Sequence, residues 1–149
     1  NGIRLTKELC AELVQAELDS VQVTFYSADP DIHNELVGGA HYEETVAGIR
    51  NAVTAGINLS INTPLCSLNK DYLETLKFLH NLGVRYVTCS GLIITGNART
   101  DESVRTQLSG EQLYQVLKEA AGYCYANNME INFTSPGWIA QEKLWCMFK

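Results

Sequence analysis

The sequence contains no run of basic residues, no long apolar segment and no closely spaced cysteines. Its 11 Lys and Arg are scattered and its formal net charge is −6, which argues against a nucleic-acid partner, because phosphate backbones require clustered cations. No apolar stretch approaches the roughly 20 residues of a membrane-spanning helix, and no secretion leader opens the chain. We therefore expect a cytoplasmic protein with neither a nucleic-acid nor a membrane partner.

The cysteines show neither a disulfide framework nor a metal-binding pattern. Their number is odd, their spacing is wide and no pair has CxxC spacing, so no local zinc or iron–sulfur clip is present. No Ser-His-Asp arrangement or paired-carboxylate motif can be read from the spacing either. The sequence thus predicts no catalytic and no metal-binding residue, and it predicts reduced core thiols at Cys10, Cys66, Cys89, Cys124 and Cys146.

Helices and strands alternate along the 149 residues, which are enough for one domain with a sizeable core. Pro64 cannot donate to a β-ladder and is expected to end the second strand. Runs rich in β-branched and aromatic residues predict the strands, and apolar residues at helical spacing predict the helices. The predicted strands are 21–26, 59–63, 84–89 and 130–133, and the predicted helices are 6–16, 42–55, 70–82, 109–127 and one that begins near 136.

Several helix boundaries carry recognisable signals. Asn69 is placed to cap the helix that follows it, and Ser109 with Gln112 forms a capping box, the strongest helix-start signal of the chain. Gly56 and Gly83 supply the left-handed residue that ends the two helices before them. These signals leave tight turns between each helix and the next strand, whereas most connections from strand to helix are longer and more polar.

This alternation indicates an α/β fold with a parallel sheet of about four strands, whose long loops all emerge at the carboxyl ends of the strands. That edge is where α/β sheets place ligands. A closed barrel needs eight strands, so the sheet should keep open edges, and we expect the chain to self-associate through them. The loops predicted to form the functional face are 27–41, 63–69, 90–108 and 134–137.

Four residues on or near the first two strands are candidates for a function. His33 follows two aspartates and could act as a base, although a structural role in pinning its loop is the favoured interpretation. Thr24, Tyr26 and Asn62 are polar residues at or near strand ends, where an unpaired polar side chain costs stability. Binding a polar ligand and hydrogen bonding within the sheet explain these three equally well.

Several segments resemble, in order and spacing, the radical S-adenosylmethionine (radical SAM) enzymes. The fourth-strand segment of that family is similar to VQVTFYSADPDIHNELVGG, and the helix, strand and helix after it are similar to YEETVAGIRNAVTAGINLSINTPLCSLNKDYLETLKFLHNLGVRYV. A later loop of the family resembles GLIITGNA. The opening Asn1-Gly2 resembles the end of the family's TNG signature, and INFTSPGW resembles the start of an auxiliary-cluster (SPASM) extension.

The resemblance implies the carboxyl-terminal part of a partial (β/α)6 TIM-type barrel, so residues 1–149 would be a truncated radical SAM core domain. Family members bind a [4Fe–4S] cluster through CxxxCxxC and cleave S-adenosylmethionine to a 5′-deoxyadenosyl radical. This chain has no CxxxCxxC, so the cluster belongs to the parent enzyme and is not expected here. By the same resemblance, Thr24, Tyr26 and Asn62 would line the S-adenosylmethionine site, and Leu92 and Ile93 would flank the adenine.

The resulting hypothesis is an inactive fragment of a radical SAM oxidoreductase that modifies a peptide, a protein or a small molecule. Two alternatives stay open. One is a non-enzymatic α/β module that binds a partner through open sheet edges. The other is a fragment of a TIM-barrel lyase or aldolase, which a Lys at a strand end would favour, and none of the four predicted strands ends in Lys.

Overall fold

The computed structural model of the chain describes residues 1–91 and 106–134. These residues form one sheet of four parallel strands in the order β1-β2-β3-β4, with helices between the strands. The predicted α/β class and the four parallel strands are confirmed. The elements in chain order are α1 (Lys7–Gln15), β1 (Val21–Thr24), α2 (Pro30–Val37), α3 (Tyr42–Thr54), β2 (Leu59–Leu65), α4 (Tyr72–Asn81), β3 (Tyr86–Gly91), α5 (Gly110–Ala126) and β4 (Glu130–Thr134).

The two faces of the sheet differ in chemistry because successive side chains of a strand point to opposite sides. On one face, Val23, Ile61 and Val87 are register partners and are almost fully buried. They belong to a single core to which α1, α3, α4 and α5 all contribute apolar side chains. We call the opposite side the polar face; it carries Gln22, Thr24, Ser60, Asn62, Thr88, Ser90, Glu130, Asn132 and Thr134.

Most helix boundaries follow the predicted signals. The Ser109 hydroxyl accepts the Gln112 N–H, and the Gln112 side chain accepts the Ser109 N–H, so the capping box is formed. Gly56 and Gly83 have φ angles of 75° and 94°, the left-handed conformation that follows a helix end at little cost only for glycine. Among the described helices, none is both long and apolar enough to cross a bilayer.

The loop predicted at 27–41 instead contains the helix α2. Its start is well specified, because the Asp29 carboxylate accepts the N–H groups of Asp31 and Ile32 and Pro30 occupies the first turn. Gly38 ends the helix with φ at 77°. The prediction missed this helix because its high content of polar residues concealed these boundary signals.

Two further predictions were wrong at the end of β2. Pro64 does not end the strand, which continues to Leu65 in register with β3. The carbonyl of Asn62 accepts the Phe25 N–H, so the backbone of Pro64, two residues later, also faces β1. The Phe25 carbonyl there accepts the Thr63 hydroxyl, so it stays paired although Pro64 has no N–H. Asn69 does not cap α4, whose N-cap is Asp71; Asn69 instead binds backbone groups at the end of β2 and the carbonyl of Tyr26 after β1.

Gly48 allows the amino-terminal segment to lie directly on α3. A Cβ atom at this position would collide with the backbone of Gly2 and come within 3.2 Å of the Leu5 side chain. We expect Gly48→Ala to lower the free energy of unfolding by about 1–2 kcal/mol, because overpacking outweighs the better helix propensity of Ala. In urea denaturation, Gly122→Ala is the matched control: a Cβ there meets no atom within 4 Å, so that variant should be slightly stabilised.

Candidate functional site

A row of hydroxyl and carboxamide side chains crosses the polar face of the sheet. Thr24, Asn62, Thr88 and Asn132 are successive register partners on β1, β2, β3 and β4. Neighbouring strands lie about 4.8 Å apart, so the four residues form one continuous band, which we call the polar row. The two residues predicted from sequence, Thr24 and Asn62, are therefore direct neighbours.

The sequence prediction missed the other half of the polar row. Thr88 and Asn132 alternate with the apolar residues Val87 and Ile131 along their strands, and this alternation was the signal that could have identified them. Thr88 lies within 3.5 Å of the Ser60 hydroxyl, measured between the two oxygen atoms. Its hydroxyl is thus already engaged with a side chain of the same face.

The polar row is electrically neutral, and this limits the ligands that it suits. Each of its four side chains can both donate and accept a hydrogen bond, and none of them carries a charge. On the described strands, the polar face has one ionisable carboxylate, Glu130, which lies at the amino end of β4. Such a surface fits the hydroxyl and amide groups of an uncharged polar moiety better than a phosphate or a metal ion, which require opposite charge.

Tyr26 lies two residues beyond the end of β1, at the carboxyl edge of the sheet. Its N–H donates to His33 Nδ1 at 3.3 Å, and its carbonyl oxygen accepts a hydrogen bond from Asn69 Nδ2 at 2.9 Å. Burial raises the pKa of the Tyr26 phenol, and the nearby Cys66 thiol adds to the rise. The Tyr26 side chain is thus neutral, and its N–H and carbonyl groups are both hydrogen-bonded.

Asn69 joins the ends of β1 and β2 through its buried carboxamide. Its side-chain oxygen accepts the N–H of Cys66 at 2.7 Å, and its nitrogen donates to the carbonyls of Tyr26 at 2.9 Å and Pro64 at 3.0 Å. Only 3 % of the residue is exposed. A carboxamide is needed here because it donates two hydrogen bonds and accepts at least one.

His33 is fully buried beside the rings of Phe25 and Tyr42, whose centroids lie 4.7 and 5.7 Å from that of the imidazole. Burial lowers the pKa of His33 to about 4, and the neighbouring His41 adds to the shift. Nδ1 accepts the Tyr26 N–H, so the neutral ring carries its proton on Nε2, which has no hydrogen-bond partner. This environment supports the structural role that the sequence analysis favoured for His33.

The same segment of chain is bound by three further side chains. We call residues 25–29 the strand-end loop. The Thr63 hydroxyl donates to the carbonyl of Phe25 at 2.8 Å, and the Tyr42 hydroxyl donates to the carbonyl of Ala28 at 2.9 Å. The N–H of Ala28 donates to the Thr75 hydroxyl at 3.1 Å. Side chains from β2, α3 and α4 therefore converge on one short stretch of backbone.

Three buried threonines allow the contribution of this network to be measured. We expect Thr63→Val and Thr75→Val each to lower the free energy of unfolding by about 1–2 kcal/mol, because each leaves a buried backbone group of the strand-end loop unpaired. Thr45 is equally buried, but its hydroxyl has no partner, so Thr45→Val should be neutral or stabilising. Urea denaturation of the three variants tests this, and equal losses in all three would contradict it.

The described cysteines do not fit an iron–sulfur cluster. Cys10, Cys66, Cys89 and Cys124 are all buried and lie on different parts of the fold. No group of three His, Cys, Asp or Glu side chains within residues 1–91 and 106–134 is placed to hold a metal. Burial raises the pKa of the Cys124 thiol to about 11 and that of Cys89 further, so both thiols are protonated at neutral pH. Cys146 lies outside the described residues.

Comparison with known proteins adds no functional assignment. No protein-family model matches the chain, and no curated protein is significantly similar to it. Leu92 and Ile93, predicted to flank an adenine, lie outside the described residues, as does the helix predicted to begin near 136. The polar row and the strand-end loop are therefore the features of the described residues that bear on function.

Proposed function

We propose that this chain is part of a radical SAM oxidoreductase, in which it forms the carboxyl-terminal portion of a partial (β/α)6 TIM-type barrel. The observation that carries the proposal is the polar row, which runs across all four strands on the face opposite the helices. In a barrel wall, the helices cover the outside and the opposite face lines the interior. The polar row would then face the ligand cavity.

Two features of the sheet support a barrel wall over a doubly wound sheet. The strand order equals the chain order, as in a barrel, whereas doubly wound sheets reverse direction at a switch point. The core of the described residues lies on one face of the sheet, while doubly wound sheets bury both. The order and spacing of the family-like segments point in the same direction.

Thr24 and Asn62 would hold the sugar of S-adenosylmethionine, because its hydroxyl groups match their neutral donors and acceptors. When bound and cleaved in the parent enzyme, this cofactor supplies the 5′-deoxyadenosyl radical that removes hydrogen from a peptide, a protein or a small substrate. The described residues contain no site for the [4Fe–4S] cluster. Accordingly, we expect this chain alone to bind the nucleoside without reaction.

Calorimetric titration of the 149-residue chain with S-adenosylmethionine and with 5′-deoxyadenosine tests the proposal. We expect Thr24→Val and Asn62→Leu each to weaken binding about tenfold, the effect of losing one or two hydrogen bonds. Asn58→Leu is the matched control, because this exposed residue precedes β2 at the opposite end of the strand. Absence of binding by the wild type, or equal affinity in all variants, would overturn the proposal.

The expected lack of activity is tested separately by anaerobic reconstitution with iron and sulfide. The chain should neither assemble a stoichiometric cluster nor release 5′-deoxyadenosine from S-adenosylmethionine. Formation of both products by this chain alone would contradict its assignment as the part of the barrel without the cluster.

The edges of the sheet favour a second candidate function, a module that binds a partner by strand addition. In the described residues, β1 and β4 each pair with one strand only, and β4 buries none of its side chains fully. An unpaired edge can accept another strand. Light scattering tests the simplest case, in which the partner is a second copy: we expect a concentration-dependent dimer, and a monodisperse monomer at high concentration would contradict self-association.

A further inference from the structure

Buried polar residues are concentrated around one short segment of this protein. Seven polar or charged residues are buried in the described part of the chain. Five of these seven bind the backbone of the strand-end loop, residues 25–29. These five residues are Ser27, His33, Thr63, Asn69 and Thr75.

The side chains that bind the strand-end loop come from many elements. The N–H of Phe25 continues the ladder between β1 and β2 by bonding to Asn62. The backbone groups of Tyr26 and Ala28 instead bond to side chains of α2, α3, α4 and the segment after β2. Strand-end loops usually lie at the surface and vary in conformation. Support from several packed elements fixes this loop before any ligand arrives, as a binding site requires.

Tyr26 is one of three residues of this loop, with Phe25 and Ala28, whose N–H and carbonyl groups are both bonded. Its N–H and its carbonyl are bound by His33 and Asn69 respectively, so its peptide groups cannot rotate without breaking one of these hydrogen bonds. Side chains alternate between the two faces along a strand, so Tyr26 follows the same alternation as Gln22 and Thr24, the β1 residues of the polar face. The residue is only partly buried, and its ring meets the His33 imidazole edge to face at a centroid distance of 6.0 Å, which leaves part of the residue exposed for contact.

The family resemblance implies that Tyr26 contacts the ligand held by the polar row; we propose that Asn69 and His33 are positioning residues, whose hydrogen bonds to the backbone of Tyr26 fix it for this contact. The inference depends on the function proposed above and extends it to the ring system of the nucleoside. A tyrosine ring offers a flat apolar face and a hydroxyl group, which match a heterocyclic base or a sugar. Neither Asn69 nor His33 needs to touch the ligand.

His33 can be tested with a conservative and a disruptive substitution, and Asn69 with a disruptive one. His33→Asn keeps an acceptor close to the position of Nδ1, whereas His33→Leu removes it. Asn69→Asp keeps an acceptor for the Cys66 N–H but loses both donated hydrogen bonds. For Tyr26 itself, Tyr26→Phe keeps the ring and Tyr26→Ala removes it.

Two measurements separate positioning from general stability. The first is the affinity of each variant for S-adenosylmethionine and 5′-deoxyadenosine, by calorimetry under conditions where circular dichroism shows a folded chain. The second is hydrogen exchange at the amides of Tyr26 and Ala28, with the central strand residue Ile61 as reference. Tyr26→Ala should weaken binding about tenfold or more, the scale of a lost base–aromatic contact, without faster exchange at Ile61.

His33→Leu should weaken binding about tenfold and accelerate exchange at the Tyr26 amide, because the loop then loses its acceptor. His33→Asn should show an affinity and an exchange rate at the Tyr26 amide close to those of the wild type. A role of His33 only in packing the core would not require this result. Asn69→Asp should likewise weaken binding and accelerate exchange at the Tyr26 amide. Thr45→Val, which removes a buried hydroxyl that has no partner, should change neither value.

The outcomes distinguish this inference from the function on which it rests. If the wild type binds neither probe, both are overturned. If the wild type binds and Tyr26→Ala binds equally well, only the ligand contact of Tyr26 is overturned. If His33→Leu and Asn69→Asp accelerate exchange at Tyr26 without weakening binding, or if exchange at Tyr26 and Ala28 is already fast in the wild type, their positioning role is overturned.

Discussion

Asn69→Leu is expected to lower the free energy of unfolding by about 4 kcal/mol, since a buried backbone group left unpaired costs about 1–3 kcal/mol and three are affected. These groups are the N–H of Cys66 and the carbonyls of Tyr26 and Pro64. Leucine fills a similar volume, so the loss reflects the hydrogen bonds more than a cavity. It would remove a large part of the total stability of a typical domain.

Urea denaturation followed by circular dichroism measures this loss. Asn58→Leu makes the same chemical change at an exposed position and should alter stability by less than about 0.5 kcal/mol. A comparable loss in both variants would show that the carboxamide of Asn69 does not hold the loops together. Hydrogen exchange should locate the damage in the strand-end loop first.

Acidification should destabilise the protein through His33. Its pKa is about 4 in the folded state and about 6.5 in an unfolded chain, so the unfolded state binds the proton more readily. The stabilising effect of neutral His33 is complete above pH 6.5 and is lost as the pH falls from 6.5 to 4. Over this range we expect a loss of roughly 3 kcal/mol, because the imidazolium cannot accept the Tyr26 N–H and is buried among aromatic rings.

Comparison with His33→Asn isolates this contribution. Asparagine does not titrate but retains an acceptor for the Tyr26 N–H, so the difference in unfolding free energy between wild type and variant should change between pH 6.5 and 4. The other titratable groups are common to both proteins, so the difference reports His33 together with its coupling to the neighbouring His41. Parallel stability profiles would contradict the assigned role of His33.

The sequence was sufficient to predict the parts of this fold that depend on local patterns. Alternating and helical apolar spacing located the four strands, and Ser109 with Gln112 located the start of α5. The parallel arrangement followed from the alternation of helices and strands along the chain. The family resemblance implied that Thr24 and Asn62 line one site, and the register of β1 and β2 makes them direct neighbours.

The missed features depend on distant contacts. Asn69 has the residue type and position of a helix cap, but its carboxamide binds Tyr26, 43 residues earlier in the chain. Thr75 is on a helix face that could be read as core, yet it binds Ala28, 47 residues away. Pro64 can remain in a strand because the Thr63 hydroxyl binds the Phe25 carbonyl, 38 residues earlier, so no Pro64 N–H is needed. Local patterns contain no information about such pairings, so the network around the strand-end loop required the structure.

The coincidence of chain order and sheet order has a consequence for how such a protein can change in length. Each strand of the sheet pairs with the strand that follows it in sequence, so every helix–strand unit contacts mainly its predecessor and its successor. A unit gained or lost at either edge leaves the pairing of the remaining strands intact. This architecture can therefore be enlarged, shortened or divided between genes in whole units, while the contacts around Tyr26 stay within the first two strands and their adjoining helices.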